Sequence, residues 1–346
     1  MKKILIILIA LAIGTGGGYF GYKFYLAKFS KTLANFPEPF MWGVTMGPSD
    51  LNRYSSQVWQ KQINTATDLG VGWIRLKFDT ENENPFKRND EEIKYLNKAN
   101  LKVVLIIEQV ASKNNANIDH YKDGYDDGFK IASHYKGKVK FYQMINEGGG
   151  GTIRQPTMSG QTEDQFDEEK YKIVTAYLRG VSEGIAKADP DAWRIVNMGW
   201  THVGYLDKIV KDKIEFDVIG IDWYGWMGSF GEKKLENGQL LFDKLKSYKK
   251  PLIFMEVNAD SKGKIVYPEK QAAFISEIGA WAWQNKDYVK GFFVLSLFDG
   301  VNNAREDAEY FGIVEAKKNP SGTYVPGKPR ESFYAYQELI KKYAGQ

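Results

Sequence analysis

The sequence contains no cysteine. Disulfides and thiolate metal centres are therefore excluded, and redox chemistry gives no guide to compartment. Histidine is almost as scarce. His120, His134 and His202 stand far apart in no ligand spacing, which argues against a histidine-centred zinc site. Charge of one sign is also lacking. The net charge is +4, yet Lys2, Lys3, Lys23, Lys28 and Lys31 all precede residue 35, where no acid stands, so the remainder sums to −1. A body so near neutrality carries no nucleic-acid footprint. No internal repeat at a period of about 20–50 residues occurs, which excludes solenoids and propellers.

What is abundant is aromatic. Phe, Tyr and Trp make up 14% of 346 residues, with nine Trp and 21 Tyr, and hydrophobic residues reach 43%. The chain can bury a large core and still present flat rings to a ligand. One long apolar run is present. Lys2 and Lys3 precede Ile4–Tyr22, which is free of charge, and Ile4–Ile13 is wholly apolar. A basic start with a short apolar stretch is the pattern of a signal peptide. A run of this length also just suffices to span a bilayer. Residues 1–26 are thus expected to be a cleaved signal peptide or a membrane anchor, and either one exports the rest. Residues 27–39, ending in Pro37-Glu38-Pro39, read as a tether before a single domain at 40–346.

Within that domain, apolar runs alternate with amphipathic ones. Strand candidates are Phe40–Met46, Val71–Phe78, Leu101–Ile107, Val139–Ile145, Trp193–Met198, Phe216–Trp223, Pro251–Glu256 and Gly291–Phe298. Nearly continuous hydrophobicity suits parallel strands covered on both faces. Between them, Glu168–Lys187 sets Val174, Leu178, Val181 and Ile185 on one stripe, and Pro268 opens a helix carrying Phe274, Ile275, Ile278 and Trp281. A last helix begins near Pro329 and runs through Tyr334, Tyr336 and Leu339. Alternation of this kind predicts an α/β fold, the (β/α)₈ TIM barrel. A doubly wound sheet is the competing architecture. It would usually show a glycine-rich phosphate loop after its first strand, where this chain has Thr45-Met46-Gly47-Pro48.

Barrel enzymes work at the C-terminal ends of their strands. The fourth candidate ends in Gln143-Met144-Ile145-Asn146-Glu147, and the seventh in Phe254-Met255-Glu256-Val257-Asn258. Two glutamates after hydrophobic runs, three strands apart, face each other across the mouth. Glycoside hydrolysis needs such a pair, one carboxyl to protonate the leaving oxygen and one carboxylate to attack or to activate water.

With these residues the chain resembles the large clan of retaining glycoside hydrolases that includes cellulases, β-mannanases, β-galactanases and β-galactosidases. The clan pattern of Asn-Glu ending the fourth strand and Glu ending the seventh is matched by Asn146, Glu147 and Glu256. The resemblance implies that Glu147 is the acid/base, Glu256 the nucleophile, and Asn146 a donor to the sugar 2-hydroxyl. It further implies that Arg75 lies near the nucleophile and that Tyr224 hydrogen-bonds it. It covers about residues 40–340 without selecting a family. Two departures stand out. The eighth strand ends in Val294-Leu295-Ser296-Leu297-Phe298, with no Trp to floor the cleaved sugar, so Phe298 becomes the candidate floor. Near the sixth strand, where the clan often has a histidine, this chain has Asp222 and Trp223.

Trp42, Trp200, Trp223 and Trp226 lie at or just beyond strand ends and are candidate sugar platforms, whereas Trp59, Trp73, Trp281 and Trp283 lie inside elements and are expected to pack. Glu108 and Gln109, ending the third strand, are further candidates for sugar hydroxyls. Gly148–Gly151, directly after Glu147, reads as a flexible loop, with a moving lid as the alternative. Asp299, Asn302, Asn303 and Asp307 crowd one loop without matching a calcium-binding spacing. The expectation is a monomeric, exported β-glycan hydrolase that needs no cofactor or metal, acts on oligo- or polysaccharide, and touches a membrane only through an uncleaved N-terminal segment. A catalytically silent polysaccharide-binding barrel and a transglycosylase are the alternatives.

Overall fold

The computed structural model describes residues 31–47, 49–51, 55–78, 85–107, 119–259, 267–300 and 310–344. Eight parallel strands close into one barrel in sequence order: β1 Met41–Thr45, β2 Trp73–Lys77, β3 Lys102–Ile106, β4 Phe141–Ile145, β5 Trp193–Gly199, β6 Val218–Tyr224, β7 Leu252–Asn258 and β8 Val289–Val294. The major helices that follow or flank them are α1 Ser56–Leu69, α2 Pro85–Lys98, α3 His120–Tyr135, α4 Gly148–Thr152, α5 Glu168–Ala188, α6 Val203–Lys211, α7 Leu241–Ser247, α8 Pro268–Gln284 and α9 Glu331–Tyr343. The (β/α)₈ barrel expected from the sequence is the fold. No helix among the described residues is long and apolar enough to cross a membrane. The expected signal or anchor, Ile4–Tyr22, lies outside the described residues, as do Glu108 and Gln109.

Successive side chains on a strand alternate between the barrel axis and the surrounding helices. Met41, Trp73, Val104, Phe141, Trp193, Ile195, Val218, Ile253, Met255 and Phe293 fill the lower interior. Gly43 yields its place to the ring of Phe293, where any side chain would overlap it. The outer faces carry the larger core, in which Ile74, Leu105, Tyr142, Val196, Ile219, Val257 and Val294 meet the helices.

This alternation decides the fate of several tryptophans. Trp42 faces outward, is 5% exposed, and lies among Phe40, Trp283, Phe292, Tyr336 and Tyr343. Trp223 is fully buried on the outer face of β6, against Phe230, and its Nε1 donates to the Gly228 carbonyl at 2.8 Å. Neither can serve as a sugar platform. Buried rings of this size typically contribute about 3–5 kcal/mol against truncation to Ala, and that is their role. Phe298 is corrected likewise. It is 5% exposed in the outer core and bridges to Val314, so it does not floor the mouth.

Two features went beyond the sequence reading. An antiparallel pair, β9 Val314–Lys318 and β10 Tyr324–Pro329, follows β8, its turn made by Asn319-Pro320-Ser321-Gly322. The described part of the expected tether, residues 31–39, is packed rather than loose. Phe36 seals the barrel floor against Phe141 and Trp193, and Glu38 pairs with Lys102 and Lys140.

Candidate active site

Above the apolar interior lies a layer of polar side chains from alternate inward positions. Arg75 on β2 is 2% exposed, and its three nitrogens are divided among three partners. Nη1 donates to Glu256 Oε1 at 2.7 Å, Nε to Gln143 Oε1 at 2.8 Å, and Nη2 to Asn146 Oδ1 at 2.8 Å. Burial would lower the proton affinity of the guanidinium, but the ion pair with Glu256 opposes it and the group stays charged. Tyr224 at the end of β6 donates its hydroxyl to Glu256 Oε2. Both oxygens of Glu256 are thus held from different sides. Burial, then the charge of Glu256, push the Tyr224 hydroxyl well above its ordinary value, so it remains a donor.

Glu256 reaches this layer through an irregularity. The register of β7 slips between its pairings with β6 and β8, so that Met255 and Glu256 do not simply alternate. Val257 then returns to the outer core and Asn258 stands above, donating to the Leu295 and Phe311 carbonyls.

Glu147 is placed differently. Its backbone is left-handed, with φ 42° and ψ 45°, an uncommon state for a residue with a side chain. Its N–H donates to Asn197 Oδ1 at 2.8 Å. Gly199 at the end of β5 gives its carboxyl room, because a methyl group there would overlap Oε1. The glycines after it form the short helix α4 and not a loose loop. Gly148 and Gly149 lie against Tyr205 and His202, where added side chains would crowd, and Thr152 Oγ1 donates back to their carbonyls.

Asp222 completes the layer. It is fully buried, and Asn197 Nδ2 donates to its Oδ1 at 2.9 Å. Burial first, then Glu256 and Glu147, push its proton affinity well above the ordinary carboxylate range.

At the rim, Trp200 and Trp226 stand 5.7 Å apart with their planes tilted by 57°. Trp226 is 58% exposed, and Lys233 lies over the Trp200 ring. β8 ends at Val294, and the residue that follows it is half-buried Leu295, not an aromatic ring. Asp299 is committed to Arg330 through two contacts of 2.8 Å, whereas Asn302, Asn303 and Asp307 lie outside the described residues. Among the described residues no cluster of His, Asp and Glu could hold a metal ion.

The structure therefore brings together Arg75, Asn146, Glu147, Tyr224 and Glu256, with Trp200 and Trp226 above. Sequence reading missed Gln143, Asn197 and Gly199. The signal for Asn197 was a lone amide inside the apolar run Trp193–Met198, at an inward position two residues from Ile195.

The closed parallel barrel with two glutamates at its mouth has counterparts among solved structures. No family model matches the chain, and no curated protein sequence matches it. Among solved structures, it is similar to xylanase 10B from Thermotoga maritima at 17% identity and TM-score 0.64, covering 93% of this chain and 99% of that one. It is also similar to the family 1 β-glucosidase from the same organism at 14% identity and TM-score 0.62, covering 90% and 98%. The complex of that β-glucosidase with isofagomine lactam gives 15% identity and TM-score 0.63. The shared fold spans nearly the whole chain.

Proposed function

We propose that the chain is a retaining hydrolase of β-linked glycan, with Glu256 as nucleophile and Glu147 as acid/base. The observation that carries this reading is the treatment of Glu256. Arg75 and Tyr224 converge on its two oxygens, an arrangement that stabilises and aims a carboxylate. Glu147 is set apart from that clamp, with its N–H on Asn197 and its carboxyl in the space left by Gly199.

In the first step the Glu256 carboxylate bonds to the anomeric carbon while Glu147 gives its proton to the departing oxygen. Glu256 becomes an ester and loses its charge. Glu147, now a carboxylate relieved of that neighbour, takes a proton from water, whose oxygen displaces Glu256 and restores the anomeric configuration. Asn146 receives Arg75 and Gln143 on its carbonyl oxygen, which leaves its amide to donate to the sugar 2-hydroxyl. Trp200 directly follows Gly199, whose missing side chain accommodates Glu147. Trp200 and Trp226 therefore flank the leaving-group side and stack a sugar ring there. The names of the similar structures, a xylanase and a β-glucosidase, support a β-linked substrate. The apolar run Ile4–Tyr22 supports export, with the protein secreted or held at a membrane.

Azide separates the two roles. With Glu256→Ala, azide entering from the vacated face gives a glycosyl azide of inverted configuration. With Glu147→Ala, an aryl glycoside bearing an acidic leaving group still forms the glycosyl-enzyme, and azide then gives net retention. Swapped outcomes reverse the assignment. Inverted sugar from the unaltered enzyme rejects the retaining mechanism, and a folded protein inert on every β-glycan points to a binding barrel.

A further inference from the structure

The site holds a third carboxyl for which the two-step mechanism has no use. Asp222 sits on β6 in register with Glu256 on β7, and it is fully shielded from solvent. Its Oδ1 takes the Asn197 amide, and its Oδ2 is buried without a hydrogen-bond partner among the described residues. The charged and titratable groups that act on it are Glu256 from β7, Glu147 from the end of β4, Tyr224 from β6 itself, and Arg75 from β2. Of these described groups, Arg75 alone has the sign to hold an anion there. Its Nε, Nη1 and Nη2 donate instead to Gln143, Glu256 and Asn146.

An ionised Asp222 would leave a buried anionic oxygen with no donor, beside two other carboxyl groups. Burying a charge in that way costs far more than burying a neutral acid. We propose that Asp222 is a positioning residue that works as a neutral acid, holding a proton beneath Glu147 and Glu256 and orienting Glu147 through Asn197. The Asn197 side chain makes that link with both of its ends. Its amide donates to Asp222, and its carbonyl accepts the Glu147 N–H. Burial and the two glutamates raise the proton affinity of Asp222, in the direction this assignment needs.

Neutrality has a consequence for the reaction. Glu147 must act first as acid and then as base. The change comes from the loss of one negative neighbour, when Glu256 becomes an ester. A permanent anion at Asp222 would remain beside Glu147 through both steps and blunt that change. A protonated Asp222 leaves Glu256 as the one carboxylate whose charge appears and disappears.

The role rests on the glycosidase reading, but the protonation state is measured without turnover. Infrared spectra of the intact protein at neutral pH, with aspartate alone labelled with carbon-13, should show a carboxylic-acid C=O band that shifts on labelling. That band should be missing in Asp222→Asn. A spectrum with no protonated aspartate in the unaltered protein overturns the proposal, even if no variant folds. In kinetics on any β-glycan that is cleaved, Asp222→Asn keeps shape and neutrality. It should keep both limbs of the pH profile in place, whereas Asp222→Leu, which cannot receive Asn197, should lose at least tenfold in kcat. A shift of both limbs to lower pH in Asp222→Asn would show that an anion had been removed, and would also overturn it. A protonated Asp222 in a protein inert on all glycans would leave this assignment standing and remove the glycosidase reading.

Discussion

Glu256 is anchored by a cation on one oxygen and a phenol on the other, and the two anchors are separable by mutation. Tyr224→Phe removes one hydrogen bond and leaves the Arg75 contact of 2.7 Å. Arg75→Ala removes the charge together with the links to Gln143 and Asn146. Both changes should act mainly on kcat, with at least a tenfold loss each, corresponding to about 1.4 kcal/mol of transition-state stabilisation. The arginine variant should lose more, because three acceptors are orphaned together. Steady-state kinetics on folded variants decides it, and unchanged kcat in both would detach these residues from the chemistry. These anchors were legible in the sequence because Arg75 and Tyr224 occur in short motifs at strand ends. Asn197, Gly199 and the role of Asp222 were not. Their importance depends on which neighbouring strand they meet, and a pattern along one segment does not carry that information.

At the scale of elements, the eight strands were readable and their faces were not always applied. An apolar run announces a buried strand, and the period of two then divides its residues between axis and helices. Trp42 and Trp223 fall on the helix side because their neighbours Gly43, Asp222 and Tyr224 face inward. Phe298 was misplaced because it lies beyond the end of β8, where alternation no longer governs direction. The pair β9 and β10 was unread, since β9 is largely exposed and charged and β10 is half-buried and carries Pro326 and Pro329, so neither gives an apolar run. A helix contact supplies a pH dependence. Glu92 on α2 is fully buried and accepts the Ser49 N–H, the Ser49 hydroxyl at 2.5 Å and the Asn89 amide at 3.0 Å, tying α2 to the turn after β1. Burial raises it from the ordinary 4.5 to about 7. A carboxyl raised on folding binds its proton more tightly in the native state. Its contribution is therefore full below the unfolded value and is lost as pH rises from 4.5 to about 7. Glu92→Gln, which cannot ionise, should flatten that decline. Thermal unfolding of both proteins at pH 5 and pH 8 tests this. The variant should gain relative to the unaltered protein at pH 8, and an equal difference at both values would rule it out.

For the molecule as a whole, the proposed export depends on residues 1–26. Sequencing the N-terminus of mature protein from its native host is the measurement. A start near residue 19 means a cleaved signal, and an intact Met1 in the membrane fraction means an anchor. Soluble cytoplasmic protein beginning at Met1 would defeat both. The barrel already constrains the arrangement that follows. Lys31 pairs with Asp217 just ahead of β6, Phe36 seals the floor, and Glu38 meets Lys102 and Lys140 at the starts of β3 and β4. At the other end of the described chain, Tyr343 stacks on Trp42 near the start of β1. Both ends of the described chain therefore lie at the floor, and the glutamates open from the opposite pole. Fastened to a surface by its first residues, the barrel would turn its mouth outward, accept polymer arriving from the surroundings, and stand with its back to whatever holds it. A reporter or matrix joined at either end would likewise leave the entrance clear.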